Sequence, residues 1–248
     1  MTFTKHLCFL SLLLPVSISA QQSKFQVITE EFAPYSYVKE NKAIGKNVEL
    51  VQLVLDELKI GSDIQFLPWA RGYNIALKEP NTLIFSIARN KQREKLFHWV
   101  GSLAAVDVCI FSLKQKKVSR VKTLEQLKNY RTVTQRDGHI SQQLTQHGFI
   151  DRKNLFSASS INHAIQMLYI NRADFIGYPA EVLFYNLEQK GLTPDELLHT
   201  NFCIDSTALY LALSINTPQE TVEQFKKALV KVKQATNWQM SEIHTPTY

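Results

Sequence analysis

Three short segments of the sequence combine aromatic rings with charged side chains, and each follows a stretch typical of a β-strand. They are residues 31–37, 68–73 and 86–94. Aromatic rings offer flat, rigid contact area, and an arginine offers a planar fork that pairs with a carboxylate through two parallel hydrogen bonds. These residue types indicate the binding of a small anion that has an organic body. The candidate residues are Glu31, Phe32, Tyr35, Trp69, Arg71, Ser86, Arg89 and Arg93.

The strongest candidates also have an ordinary structural interpretation. Phe32 and Trp69 could be core residues that never meet a ligand. Arg89 and Arg93 are four residues apart, so on a helix they would share a face, where Arg93 could pair only with Glu94 or solvent. The sequence leaves both interpretations open.

The sequence contains none of the short motifs that mark common catalytic or cofactor sites. It has no Gly-x-Ser-x-Gly elbow, no His-Glu-x-x-His, no Cys-x-x-Cys, no phosphate-binding loop and no Gly-x-Gly-x-x-Gly. Its histidines are not spaced as metal ligands, and a total of 8 glycines argues against a loop that cradles a nucleotide. We therefore expect no catalytic residue, no metal and no cofactor.

The composition is that of a globular protein with one large or two small domains. The 248 residues are 45% hydrophobic and 20% charged, which excludes disordered and collagen-like chains, and 3 cysteines are too few for a disulfide framework. Lys plus Arg number 28 against 22 for Asp plus Glu, but the basic residues are scattered along the chain. This charge favours anionic partners weakly and does not indicate nucleic acid.

Residues 1–20 have the pattern of a secretory signal peptide. A lysine and a histidine precede an apolar run over residues 7–16, and small residues lead to a cleavage site after Ala20. The apolar run is shorter than the roughly 20 residues that a membrane span needs. Cys8 lies inside that run, which does not suit the lipid-bearing cysteine of a lipoprotein. We expect a periplasmic chain without a membrane anchor.

Two cysteines, Cys109 and Cys203, remain after the expected signal peptide. Both lie in apolar, strand-like stretches, and the exported chain would meet an oxidising compartment. Two inert buried thiols and a single disulfide are both compatible with the sequence, because spacing gives no distance between the two residues.

Strand-like and helix-like segments alternate along the mature chain. Runs rich in β-branched and aromatic residues predict strands over residues 25–29, 64–67, 82–87, 106–113, 131–135, 174–177 and 208–214. Apolar spacing and capping residues predict helices over residues 47–59, after Thr123, after Ser160, from Pro179 to about Gly191, and after Thr217 with Pro218 at the first helical position. This alternation implies parallel sheets with right-handed crossovers, so the predicted class is α/β.

Two long apolar runs, residues 106–113 and 208–214, bracket the central block of the chain. They predict one lobe inserted into another and joined to it by two hinge strands. Lobe 1 would comprise residues 21–111 plus 207–248, and lobe 2 would comprise residues 112–206. Such a chain would close around a ligand by bending at the hinge.

An ordered series of motifs resembles family 3 of the bacterial extracellular solute-binding proteins, and within it a branch with a Pro-Trp-x-Arg loop. The series is Pro34-Tyr35-Ser36, Gly45 before an amphipathic helix, Pro68-Trp69-Ala70-Arg71, Ser86-x-x-Arg89, Arg93-Glu94 and Trp99-Val-Gly101. The resemblance covers about residues 23–245. It implies a two-lobed, type II periplasmic-binding-protein fold, in which helices flank a central, mostly parallel sheet in each lobe.

The resemblance also implies roles for individual residues. Arg93 matches the arginine that holds the ligand carboxylate, with Ser86 contributing to the same site. Phe32 and Trp69 match the aromatic residues that enclose the ligand side chain. Residues 136–139, which end at His139, match the loop of the second lobe that caps the carboxylate.

One departure from the pattern concerns the ligand ammonium. Amino-acid binders of the family supply an acidic residue for it from the second lobe, where this chain has Tyr178 and Pro179, with Glu181 only nearby. Glu31 could take that role from the first lobe.

Together these observations predict a monomeric periplasmic protein that captures a small carboxylate-bearing solute, either amino-acid-like or an organic acid, by hinge closure. It would deliver the solute to an inner-membrane ABC-type permease or to a sensor. One alternative is an enzyme on the same fold, similar to a dehydratase or a lytic transglycosylase, with Glu31 or Glu181 as its acid or base. Another is a degenerate sensory module without a small ligand.

Overall fold

The computed structural model of the protein describes residues 25–239, except Lys117 and Ser119. The expected signal peptide, residues 1–20, lies outside the described residues. The strands are β1 (Gln26–Thr29), β2 (Tyr37–Lys39), β3 (Lys42–Ile44), β4 (Ile64–Phe66), β5 (Thr82–Ala88), β6 (Phe97–Leu113), β7 (Thr132–Gln135), β8 (Leu155–Ala158), β9 (Phe175–Pro179) and β10 (Leu198–Ser214). The helices are α1 (Lys46–Glu57), α2 (Trp69–Lys78), α3 (Leu124–Leu127), α4 (His139–Gln146), α5 (Ile161–Tyr169), α6 (Ala180–Glu188), α7 (Pro194–Leu197) and α8 (Gln219–Ala235). In this part of the chain, no helix has the length and apolar content needed to cross a membrane.

The large sheet contains two parallel groups of strands on either side of two long antiparallel strands. Its order is β4-β1-β5-β10-β6-β9-β7-β8. β1 pairs in parallel with β4 and β5, and β7 pairs in parallel with β8 and β9. β6 and β10 are 17 residues long and pair with each other along their whole length. Because α1, α2 and α8 pack on one half and α4, α5 and α6 on the other, each half is a sheet flanked by helices.

Each half of the sheet has its own hydrophobic core. In the half that contains β1, the core includes Leu50 of α1 and Phe225 of α8. In the half that contains β7, it includes Phe111 of β6 and Ile176 of β9. Burial of such a side chain stabilises the folded state by about 1.5–3 kcal/mol.

The two central strands are much longer than the apolar runs that predict them. Residues 106–113 and 208–214 lie inside β6 and β10, but β6 begins at Phe97 and β10 at Leu198. The added part of β10 is rich in polar residues, so local composition does not mark it as a strand. Its backbone groups are satisfied by antiparallel pairing with β6, which holds it extended.

Two predicted helix starts are confirmed at their capping residues. The hydroxyl of Ser160 accepts from the backbone N–H of His163 at 3.2 Å, and the hydroxyl of Thr123 accepts from that of Gln126 at the same distance. These bonds satisfy N–H groups that have no partner within their own helix.

The two prolines predicted at first helical positions are instead the capping residues. Pro179 has ψ 127 and Pro218 has ψ 139, so both are extended, and α6 and α8 begin one residue later. The predicted cap at Thr217 is therefore wrong. Its hydroxyl lies 3.0 Å from the Ser214 hydroxyl, in the turn that leaves β10.

We expect Ser160→Ala to lower the free energy of unfolding by about 1 kcal/mol, because α5 loses the side-chain cap of its first turn. Ser160→Gly is the matched control and should cost only roughly a few tenths of a kcal/mol, because glycine is itself well tolerated at a capping position. Chemical denaturation measures both. Equal losses for the two variants would show that the hydroxyl does not stabilise the helix.

Cys109 and Cys203 form a disulfide between β6 and β10. The two half-cystines face each other across the antiparallel pair and are separated by 94 positions in the sequence. Of the two alternatives that the sequence leaves open, the structure shows the disulfide.

Candidate ligand-binding cavity

A cavity lies where the carboxyl ends of β1 and β5 approach those of β7 and β9, above the middle of the two long strands. It comprises about 480 Å³ of space between atoms, including its opening to solvent. Its lining consists of Glu30, Phe32, Trp69, Ser86, Ala88, Arg93, Val106, Val108, Gln135, Gly138, His139, Ile140, Tyr178, Pro179, Thr207 and Leu209. Ligands of open α/β sheets bind at this edge of the strands.

The structure brings five of the nine sequence candidates together in this lining. They are Phe32, Trp69, Ser86, Arg93 and His139. Arg71, Arg89, Glu31 and Tyr35 are described by the structure but are not part of the lining.

Arg93 is a buried guanidinium, with 1% of its surface exposed. Nη1 donates to the carbonyl of Ala88 at 3.1 Å, and Nη2 donates to the carbonyl of Asp137 at 3.0 Å. The guanidinium carbon also lies 5.1 Å from the ring centre of Trp69 and 4.9 Å from that of Tyr73. Within the described residues Nε has no hydrogen-bond partner. Burial lowers the pKa of Arg93, while Tyr73 and Glu30 act in the opposite direction.

Trp69 connects the two halves of the molecule at the cavity. Its indole N–H donates to the carbonyl of Asp137 at 2.9 Å, and its ring stacks on Tyr73 with centroids 5.5 Å apart. Arg93 and Trp69 therefore both bind the same carbonyl in the loop that follows β7. That loop covers the cavity from the side opposite β1 and β5.

His139, at the start of α4, is held between neighbours of both halves. Asn90 Nδ2 donates to its Nδ1 at 3.0 Å, and its Nε2 lies 3.2 Å from a carboxylate oxygen of Asp205. These partners fit a neutral ring with its proton on Nε2. Burial and the charge of Arg93 lower the pKa of His139, although Asp205 raises it.

Glu30 is a cavity residue that the sequence prediction missed. It is 6% exposed, and the side-chain amide of Gln135 donates to its Oε2. Burial raises the pKa of Glu30 to about 8, and the Gln135 hydrogen bond and the Arg93 charge only partly offset that effect. Glu30 directly follows β1, so the rule that selects residues at strand ends could have included it.

The adjacent carboxylate, Glu31, turns away from the cavity. Its two oxygens accept from the backbone N–H of Val38 at 3.3 and 3.4 Å, on an exposed part of the loop. Glu31 therefore shapes the loop rather than facing the cavity. Tyr35 is buried, and its hydroxyl donates to the carboxylate of Glu181 in α6.

Arg89, not Arg93, is the arginine that pairs with Glu94. Arg89 Nε and Nη2 donate to that carboxylate at 2.8 and 2.5 Å, and its guanidinium carbon lies 5.4 Å from the centre of the Trp99 ring. Arg71 is exposed on α2. The interpretation that Arg93 pairs only with Glu94 or solvent is therefore wrong.

Ser86 adopts a strained backbone conformation at the edge of the cavity. Its φ of 61 lies in the left-handed region, which costs a residue other than glycine roughly 1–3 kcal/mol. Its hydroxyl accepts from the amide of Asn47 at 3.0 Å and lies 3.3 Å from the hydroxyl of Ser36. These buried contacts hold the conformation and occupy the hydroxyl.

Among the described residues, no group of three His, Cys, Asp or Glu side chains is arranged to hold a metal ion.

No family model matches the sequence, and no curated protein matches it. Solved structures do match. A histidine kinase sensor domain with similarity to periplasmic binding proteins has a TM-score of 0.76 at 17% identity, covering 86% of this chain and 92% of that one.

Two amino-acid-binding proteins match over a similar length. Holo ArgBP from T. maritima has a TM-score of 0.72 at 16% identity, covering 85% of this chain and 91% of that one. The arginine-, lysine-, histidine-binding protein ArtJ from the thermophilic bacterium Geobacillus stearothermophilus has a TM-score of 0.73 at 17% identity. The match covers 86% of this chain and 91% of that one. The chain therefore has the predicted α/β, two-lobed periplasmic-binding-protein-like fold.

Proposed function

We propose that this chain is a periplasmic solute-binding protein of family 3, which closes two lobes over a small carboxylate-bearing solute. The observation that carries the proposal is Arg93. It is a buried guanidinium in the lining of an interlobe cavity, and it has no ion-pair partner among the described residues.

A buried charge without a counter-charge is costly, so its retention needs a compensating partner. The protein supplies two carbonyl acceptors to the five N–H groups of Arg93, and Nε remains without a partner in the described part of the chain. Two acidic side chains, Glu30 and Asp137, act on Arg93, and the first has a pKa raised to about 8 and is mostly uncharged at neutral pH. A ligand carboxylate would supply the missing negative charge and accept from the guanidinium.

The other lining residues suit the organic part of such a ligand. Phe32 and Trp69 present rings from lobe 1, while Ile140 and Tyr178 contribute apolar surface from lobe 2. When both lobes enclose the ligand, the closed state makes contacts with the ligand that the open state lacks. Ligand binding can drive closure only through such a difference in contacts.

The lobes that we propose are residues 21–111 plus 207–248 and residues 112–206, with β6 and β10 as the hinge strands. Several bonds cross between them: Arg93 and Trp69 to the carbonyl of Asp137, and Asn90 to His139. These contacts would break on opening, which is the motion expected of a two-lobed clamp.

The compartment and the partner belong to the same proposal. The disulfide supports export, because such bonds persist in oxidising compartments. The monomeric protein would deliver its solute to an inner-membrane ABC-type permease or to a sensor. The similarity to a histidine kinase sensor domain supports including a sensor as the alternative to a permease.

Isothermal titration with pairs of small carboxylates and their carboxamides tests the ligand class. We expect at least one carboxylate to bind with a dissociation constant at or below the micromolar range, and its carboxamide to bind at least about 100-fold more weakly, since a charged hydrogen-bonded pair contributes a few kcal/mol. Equal affinity for acid and amide would contradict the assignment of Arg93.

In this proposal the protein binds its ligand and does not convert it. Of the two residues that the sequence offers as an acid or base, Glu31 binds the backbone of Val38 and Glu181 binds the hydroxyl of Tyr35, and neither is part of the cavity lining. We expect a bound ligand to be recovered unchanged after prolonged incubation, as followed by proton NMR. Conversion of the ligand would favour an enzyme and would point to Glu30 as its acid or base.

A further inference from the structure

We infer that the cavity selects a compact monocarboxylate with an apolar body and an uncharged oxygen, such as an α-keto or α-hydroxy acid, over the amino acid of the same carbon skeleton. This inference deepens the proposed function and rests on Arg93 as the partner of the ligand carboxylate.

The first argument is the charge of the lining. Among the described lining residues, the groups that could carry charge near neutral pH are Arg93, Glu30 and His139. His139 has the partners of a neutral ring, and Glu30 is 6% exposed, accepts from Gln135 and forms no ion pair with a described residue. The lining therefore carries one net positive charge, which one negative charge on the ligand neutralises. An ammonium group would lose its water in a site that already carries a net positive charge.

The second argument is the geometry of Glu30. The amide of Gln135 donates to Oε2, which makes this oxygen the acceptor of the carboxyl group. No described residue makes a hydrogen bond to Oε1. A neutral carboxylic acid has one hydroxyl to donate, and a carboxyl that accepts through Oε2 presents that donor at Oε1. A carbonyl or hydroxyl oxygen of the ligand is the complementary partner, whereas an ammonium can only donate.

The charge state of Glu30 predicts the pH dependence of binding. The groups that face it are Arg93, Gln135 and Tyr178, and burial keeps the pKa of Tyr178 well above its usual value. The raised pKa of Glu30, about 8, means that the group is neutral below that pH and ionises above it. Ionisation removes the donor and adds a negative charge beside the ligand. The affinity for the keto acid should therefore fall as the pH rises from about 7 to 9.

The test is isothermal titration of the full mature protein with two matched series. One series is α-ketoisocaproate, α-hydroxyisocaproate, isocaproate and leucine, and the other is phenylpyruvate, phenyllactate, phenylpropionate and phenylalanine. We expect the keto or hydroxy acid of at least one series to bind about tenfold or more tightly than both the simple acid and the amino acid, as one hydrogen bond in a dry site would provide.

Two substitutions at Glu30 assign the effect to this residue. In Glu30→Met, which removes the donor at similar volume, the advantage of the keto acid over the simple acid should disappear. In Glu30→Gln, the decline of affinity between pH 7 and 9 should disappear, since an amide does not titrate. Circular dichroism and unfolding temperature report whether each variant folds, and the comparison within the wild-type protein needs no variant.

Each outcome of these titrations bears on either the inference about the ligand or the proposed function. Tighter binding of the amino acid overturns the inference and leaves the proposed function standing. An unchanged keto-acid advantage in a folded Glu30→Met variant also overturns it. Failure of both series, with other carboxylates binding, shows that the inference is wrong about the ligand body. Failure of every carboxylate to bind overturns the proposed function as well.

Discussion

Arg93→Ala is expected to weaken binding of the carboxylate ligand by about 30- to 5,000-fold, which corresponds to about 2–5 kcal/mol. The guanidinium is buried, lies against the Trp69 and Tyr73 rings, and has N–H groups that the protein leaves unused. Its removal leaves the ligand carboxylate buried without a partner, and that penalty dominates the loss. Isothermal titration with the tightest carboxylate found measures it.

Arg89→Ala is the matched control, because this arginine lies only four residues away, is exposed and pairs with Glu94. We expect its dissociation constant to equal that of the wild-type protein. Arg93→Lys keeps the charge but loses the planar fork, so its loss should be intermediate. If Arg93→Ala folds and binds as tightly as Arg89→Ala does, Arg93 is not the carboxylate site.

Removal of the disulfide is expected to have the largest effect on stability. In Cys109→Ala combined with Cys203→Ala, the free energy of unfolding should fall by about 2–5 kcal/mol. The bond closes a long loop whose ends are 94 positions apart, so its loss frees many conformations of the unfolded chain. Chemical denaturation under oxidising conditions measures the difference.

Wild-type protein in a reducing agent provides the control for this substitution. Its stability should fall towards that of the double variant, whereas the double variant itself should not respond to the reductant. If the oxidised wild-type protein is no more stable than the double variant, the disulfide does not form in solution.

Much of the site follows from a single rule applied to the sequence. Residues at the carboxyl ends of parallel strands line the ligand crevice of an α/β fold. That rule selects the segments that contain Phe32, Trp69, Ser86 and Arg93, and the structure places these four in the cavity lining. The rule does not separate them from Arg71 and Arg89, which belong to the same segments and lie outside the lining.

The remainder depends on contacts that local sequence does not encode. Which of the two adjacent carboxylates, Glu30 or Glu31, faces the cavity is decided by the loop, where Glu31 accepts from the backbone of Val38. Which arginine stays exposed is decided by Glu94, five residues beyond Arg89. Such choices are made by partners brought together on folding, and the same reason explains why pairing with β6 extends β10 far beyond its apolar run.

The central claim is that a buried arginine between two lobes holds a small carboxylate. It is tested most directly by the unfolding temperature of the mature wild-type protein in a broad set of small carboxylates at millimolar concentration, each beside its carboxamide. We expect at least one acid to raise the unfolding temperature by about 5 °C or more at roughly 100 times its dissociation constant, while its amide raises it little. No shift with any acid, or equal shifts with acid and amide, would contradict the account.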